Sequence, residues 1–226
     1  MDIRVESGRR SPVALPDGLR NRWSAEETAQ VRQVFPQNDG WIVAWNHGEF
    51  GGGLEWYPRS DGGAQPIVVG SDEDVQNVNL GRVENGALYV LQGISHLTLS
   101  EGQLAKVWRD HGRFQSHVIA RYTTEPVDWI RERDGAWLVL TWDAIWRTSE
   151  KGTSDLVARL PKALNNPNSL VEAPDGTVYV GASSGVLRLT PTWPDVPRYA
   201  ADFLLPKGSR YEACWQRATS APARAP

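Results

Sequence analysis

The stretch EAPDGTVYVGASSGVLRLTP, residues 172–191, runs from an Asp-Gly turn into an apolar strand, then through a small-residue turn into a second apolar strand. The same beginning occurs three more times, as NDGWIVAW at 38–45, ENGALYVL at 84–91 and RDGAWLVL at 133–140. The turn glycines are Gly40, Gly86, Gly135 and Gly176, at intervals of 46, 49 and 41 residues. Asn or Asp before Gly suits a tight hairpin because both tolerate positive φ. The run after each turn is Val, Ile, Leu, Trp and Tyr with little polar alternation, which predicts a strand buried on both faces.

A further strand precedes each turn (QVRQVFPQ, NVNLGRVE, PVDWIRER, NSLVEAP). A third follows it (GLEWYP, HLTLS, AIWRTS, GVLRLT), and then a fourth (QPIVVG, QLAKVW, SDLVARL, YAADFLL). Four strands in about 45 residues is the arithmetic of a β-propeller blade. The expected fold is therefore all-β, a β-propeller of four-stranded antiparallel blades. Four blades are legible, with a fifth if residues 1–30 and 199–218 close one from both termini, since an open ring leaves unpaired edges. The expected organisation is an N-terminal segment 1–29, a propeller 30–218 and a disordered tail 219–226. Ser24 and Glu27 have capping-box spacing, which predicts a helical turn near 24–29.

The bulk composition agrees. In 226 residues the chain carries 40% hydrophobic and 23% charged residues, which excludes wholesale disorder, and its 21 Gly, 15 Pro and 11 Trp point to turn-rich, aromatic-rich β structure. A formal net charge of -3 supplies no basic field for nucleic acid. No window resembles a membrane span or the apolar core of a signal peptide, so a soluble, cytoplasmic protein is expected, periplasmic or secreted if an export signal was removed. The single cysteine, Cys214, forms no internal disulfide, and no Cys/His spacing suggests zinc.

PDGTVYVGASSGVLRLTP resembles the repeat of bacterial propellers of the two-component-regulator sensor type. NNPNSLVEAPDG is similar to blade starts of NHL and gluconolactonase-like propellers. RSDGG at 59–63 and TSEKG at 148–152 resemble the Asp-box turn of sialidase-type propellers without the full motif. The gluconolactonase resemblance implies a divalent metal, Ca or Zn, at a channel mouth. Pro167-Asn168-Ser169 partly matches that family's Asn motif, but no Glu or Asp aligns with its other ligands. The arginines follow no sialidase pattern. No catalytic residue, metal ligand or cofactor is therefore assigned.

Two sets of candidate residues remain. Counting back from the turn glycines places Gln33, Asn79, Asp128 and Asn168 at like positions of the innermost strands, a polar ring that caps turns, binds channel water or meets a ligand. The glycine-rich segment 47–58 departs most from the other blades. Trp45, Glu49, Phe50, Glu55 and Trp56 in or beside it, with Asp72, Glu73 and Asp74 of an acidic run, form the candidate partner surface, suited to a basic protein. His47, His96, His111 and His117 share no metal-ligand spacing, and His111 and His117 are expected in a loop between blades. Trp41, Trp137, Trp142 and Trp146 are expected between blades, whereas Trp108, Trp129, Trp193 and Trp215 are candidates for an exposed aromatic patch. The expected function is a non-catalytic module that binds a protein partner through one rim, with an inhibitor or immunity-type role as its analogue. A metal-dependent lactonase or esterase near Asp128 and Asn168, or a carbohydrate-binding propeller, is the alternative. The sequence leaves the oligomeric state open.

Overall fold

Each of the four glycine turns joins the first and second strands of a four-stranded antiparallel sheet. The computed structural model describes residues 13–60, 62–70, 76–97, 99–162, 164–192 and 199–205. The first sheet holds β1 (Val31–Gln37), β2 (Gly40–Asn46), β3 (Gly52–Pro58) and β4 (Gln65–Ile67). In the second are β5 (Asn77–Glu84), β6 (Ala87–His96), β7 (Leu99–Asp110) and β8 (Arg113–Tyr122). The third comprises β9 (Pro126–Arg131), β10 (Trp137–Thr141), β11 (Ala144–Thr148) and β12 (Ser154–Arg159). The fourth comprises β13 (Pro167–Glu172), β14 (Val178–Ala182), β15 (Gly185–Pro191) and β16 (Tyr199–Leu204). All four sheets are simple meanders in chain order, so the fold is all-β and of the β-propeller kind, built from four-stranded antiparallel blades. The N-terminal residues 1–12 and the C-terminal residues 206–226, which a closing blade and the tail would use, lie outside the described residues. Among the described residues no helix is long and apolar enough to cross a membrane.

The four turns reach like places by different means. Asn85 and Gly86 have φ of 50° and 77°, the paired positive values that a two-residue hairpin needs. Gly40 instead opens β2, where a Cβ would run into the Tyr57 carbonyl and the Trp56 ring. Asp134 and Asp175 brace the third and fourth turns by accepting from the N–H groups of Ala136 (3.0 Å) and Thr177 (2.9 Å). Those backbone bonds hold both carboxyls below the usual range. A depressed native pKa contributes stability that is present above the unfolded value and is lost as pH falls through the native one. The double variant D134N/D175N should therefore melt below wild type at neutral pH and converge with it in acid, as followed by circular dichroism.

In the second sheet the sequence-based strands are displaced. HLTLS is the tip of an extended β6–β7 hairpin, QLAKVW belongs to the third strand, and the fourth is β8, where a loop was expected. The turn into β8 is His111-Gly112, with φ of 45° and 80°. His thus stands where Asn stands in the other pair, and His117 is a strand residue opposite Lys106.

The chain divides into two compact units, Met1–Val127 with Thr148–Ser154, and Asp128–Arg147 with Asp155–Pro226. In the first, Phe35, Ile42, Leu54 and Trp56 pack against Val78, Leu88, Val90 and Val107 of the second sheet. The opposite face of the first sheet buries Trp41, Val43, Trp45 and Tyr57 beneath Leu15, Leu19 and Trp23. That is why β2 is buried along its length. Ser24 and Glu27 form the expected capping box on α1 (Ala25–Gln30). The described part of the N-terminal segment therefore covers a blade face with turns and one helix. In the second unit Trp129 is fully buried, with its ring centroid 6.1 Å from that of Trp137. This corrects its expected exposure: burial between strands, not proximity to a strand end, decides its place. Trp142 is the opposite correction, since 41% of it is exposed. Trp193 and Trp215 lie outside the described residues.

Candidate functional site

The polar set read from the innermost strands is committed largely to backbone. Gln33 accepts from the Gly81 N–H at 2.5 Å and donates to the Gly81 carbonyl at 3.2 Å, tying the first sheet to the second. Asn79 donates to the Pro126 carbonyl at 2.9 Å and to Glu125 Oε1 at 2.7 Å, and it accepts from Asn46 Nδ2 at 2.9 Å. In the second unit Asp128 Oδ2 accepts the Leu170 N–H at 2.7 Å, while its Oδ1 accepts the Trp129 N–H at 2.8 Å. Asn168 is exposed and accepts from the Ser169 hydroxyl at 3.0 Å. Three of the four thus act as hooks from the first strand of one sheet to the first strand of the next. Register breaks in β1, β5 and β13 fall at Arg32, Asn79 and Asn168, near the same place in each blade. A bulge there re-aims a side chain out of the strand's regular alternation.

The rim around residues 47–51 is built from the same network. Asn77 Oδ1 accepts the His47 N–H at 2.8 Å and its amide donates to the Gly48 carbonyl, while Asn46 Oδ1 accepts the Gly48 N–H at 3.0 Å. These bonds hold a short 3-10 turn, Gly48–Phe50, beside the end of β6. Glu49 Oε2 lies 3.0 Å from His96 Nδ1, so the turn is joined to the β6–β7 hairpin. At their tips Phe50 is 81% and Leu97 92% exposed, and Leu99 follows at 49%. Leu97 has φ of 52°, a left-handed conformation that branched, bulky residues seldom adopt.

Of the eight residues assigned to the partner surface, the structure places Glu49 and Phe50 on this rim. Trp45 and Trp56 are buried, Trp56 in the core between the first two sheets and Trp45 on the opposite face. Glu55 is not on the rim, because alternation along β3 puts it with Tyr57. The Tyr57 hydroxyl donates to Glu55 Oε2 at 2.6 Å. Burial, aided by that carboxylate, raises the Tyr57 phenol well above its ordinary pKa and keeps it protonated. Asp72, Glu73 and Asp74 lie outside the described residues. Leu97 and Leu99 were not singled out in the sequence, where HLTLS reads as a strand.

A second polar concentration lies in the other unit, where Arg147 pairs with both Glu132, at 2.7 Å, and Asp134. Burial raises the Glu132 pKa against the pull of Arg147. One guanidinium thus serves two carboxylates. Among the described residues no three His, Cys, Asp or Glu side chains come together as metal ligands.

No known family profile matches the chain, and no curated protein does. Among solved structures it aligns with a gluconolactonase from Xanthomonas campestris at 12% identity, over 78% of this chain and 62% of that one, with a TM-score of 0.44. It aligns with luciferin-regenerating enzyme at 12% identity, over 77% and 62% of the chains, with a TM-score of 0.48. An extracellular domain assigned to a hybrid two-component system of B. thetaiotaomicron gives 10% identity, 79% and 23% coverage, and a TM-score of 0.49. The chain therefore spans less than two thirds of each of these proteins. Gluconolactonase-like enzymes and sensor domains both stand among its structural neighbours, and at this likeness neither activity passes to it.

Proposed function

We propose that the protein is a non-catalytic recognition module that takes a protein partner on the rim formed by Gly48–Phe50 and the β6–β7 hairpin tip. The observation that carries this reading is Leu97. Left-handed backbone at a branched side chain costs about 1 kcal/mol, and a side chain 92% exposed returns almost nothing to the fold. Phe50, 81% exposed, follows Glu49, whose carboxylate meets His96 next to Leu97, so two segments joined by that pair each carry a large apolar group a partner can cover. Glu49 on the rim and the acidic sequence 71–74 suit a partner with a basic surface around an apolar centre. An inhibitor or immunity-type protein is the kind of role this describes.

The test compares capture of a partner from the source cells by wild type, Phe50→Ser, Leu97→Asn and the control Val83→Ser, whose side chain is exposed on β5. Asn tolerates left-handed backbone, so Leu97→Asn should hold or raise the melting temperature while weakening the captured complex by about tenfold or more. Retention of the partner by both rim variants would remove the proposal. Melting with calcium, zinc and EDTA reads the hydrolase alternative. No shift is expected, because both Asp128 oxygens accept backbone N–H groups; a metal-dependent shift would favour a metallohydrolase instead.

A further inference from the structure

Between α1, the outer edge of the first sheet and Gln92 of β6 lies a cavity of about 490 Å³, within the usual range for small ligands. It arises because β4 is short. That strand pairs only with Leu54, Glu55 and Trp56, and beyond Ile67 the chain leaves Gly52 and Gly53 of β3 unmatched on that side. A Cβ on Gly53 would meet nothing within 4 Å, so bare backbone opens onto the space. Trp23 packs edge to face on Trp45 and Tyr57, at 82° and 87°, and the latter two are each 7% exposed. The three rings are thus spent on one another and form a closed wall. Pro66 and Val68 add exposed apolar lining.

The charge of the cavity has one sign. Glu27 and Glu55 line it, and among the described residues no Lys or Arg does. Arg22 is held in an adjoining groove, where it donates to the carbonyls of Gly18, Gly62 and Pro58. A recess that carries carboxylates alone between apolar walls concentrates a field that draws cations. The polar lining selects the kind of cation. Gln30, Gln92 and neutral His47 each carry an acceptor, and the glycine backbone adds carbonyls, so a head group rich in N–H donors finds partners around the space. Each carboxylate already commits one oxygen: Glu55 Oε2 accepts from the Tyr57 hydroxyl at 2.6 Å, and Glu27 Oε2 from the Ser24 N–H at 2.8 Å. What they offer is single oxygens rather than the open pair that a guanidinium fork grips, which suits the compact head of an ammonium. A methylene stem behind that head packs on Pro66 and Val68. We propose that this cavity binds a primary ammonium on an unbranched alkyl chain, as found on a lysine side chain and on free aliphatic diamines.

Titrating the full chain with Nα-acetyl-lysine methylamide and with cadaverine, at constant ionic strength, should give a saturable change in tryptophan fluorescence with a Kd of about 1 mM or below. The norleucine counterpart of the lysine compound keeps the stem and lacks the ammonium, and it should bind at least about tenfold more weakly. Glu27→Gln and Glu55→Gln should each raise the Kd by about fivefold with an unchanged circular dichroism spectrum, because glutamine still serves the capping box and still accepts from Tyr57. Phe50→Ser should leave the Kd unaltered, which separates this site from the rim. Tighter binding of the lysine compound than of cadaverine would place the ammonium on a protein chain; the reverse order would place it on a free diamine. Equal binding of the norleucine compound, absence of saturation with either amine, or full binding by the double variant E27Q/E55Q would overturn the assignment.

Discussion

Asn79→Leu is expected to remove about 2–4 kcal/mol from the free energy of unfolding, read by urea titration of tryptophan fluorescence. Asn79 is 8% exposed and joins three groups: Asn46, Glu125 and the Pro126 carbonyl. Leucine keeps the same branched four-atom outline and is the bulkier of the two, so no cavity opens and the loss is chiefly polar. Each net hydrogen bond is worth about 1 kcal/mol, and a buried group left without its bond costs about 1–3 kcal/mol. Asn79→Asp separates charge from shape. It sets a second carboxylate against Glu125, so it should be the less stable variant at neutral pH and recover part of its loss in acid, where one carboxyl binds a proton. A loss below about 1 kcal/mol for Asn79→Leu would show that water replaces the amide at this bulge.

Trp129→Ala is expected to be costlier still, about 3–5 kcal/mol, because a large side chain with no exposed surface leaves a cavity that its neighbours fill only in part. Its packing against Trp137 places the loss in the second unit. Thermal unfolding of Trp129→Phe should show a smaller shift, since a phenyl ring retains much of the buried area. A neutral result for the alanine variant would place Trp129 at the surface, as sequence proximity to a strand end had indicated.

The blade plan was legible because turn chemistry and buried runs are local. Asn85-Gly86 and Asp134-Gly135 announce their hairpins in two letters, and β10 is apolar from Trp137 to Leu140. The second blade was read out of step because its β6–β7 hairpin extends past the point where the other blades turn, and because His111-Gly112 does the work of Asn-Gly. For the candidate site, Phe50 was visible as an aromatic in a glycine-rich loop, but Trp45 and Trp56 were not separable from it by composition. Strand parity does separate them: along GLEWYP, Glu55 and Tyr57 share one face while Leu54 and Trp56 share the other. Trp23 carried no local sign of its role. It meets Tyr57 only after the intervening chain has folded into the first sheet, and such a meeting is tertiary information.

The hooks at Gln33, Asn79 and Asp128 point one way along the chain, each acting on backbone that the ribosome makes later. During synthesis a newly emerged blade thus presents a hydrated amide or carboxylate on its first strand until the next arrives. The nascent edge stays polar while it waits, and each successor meets a side chain already placed to set its alignment.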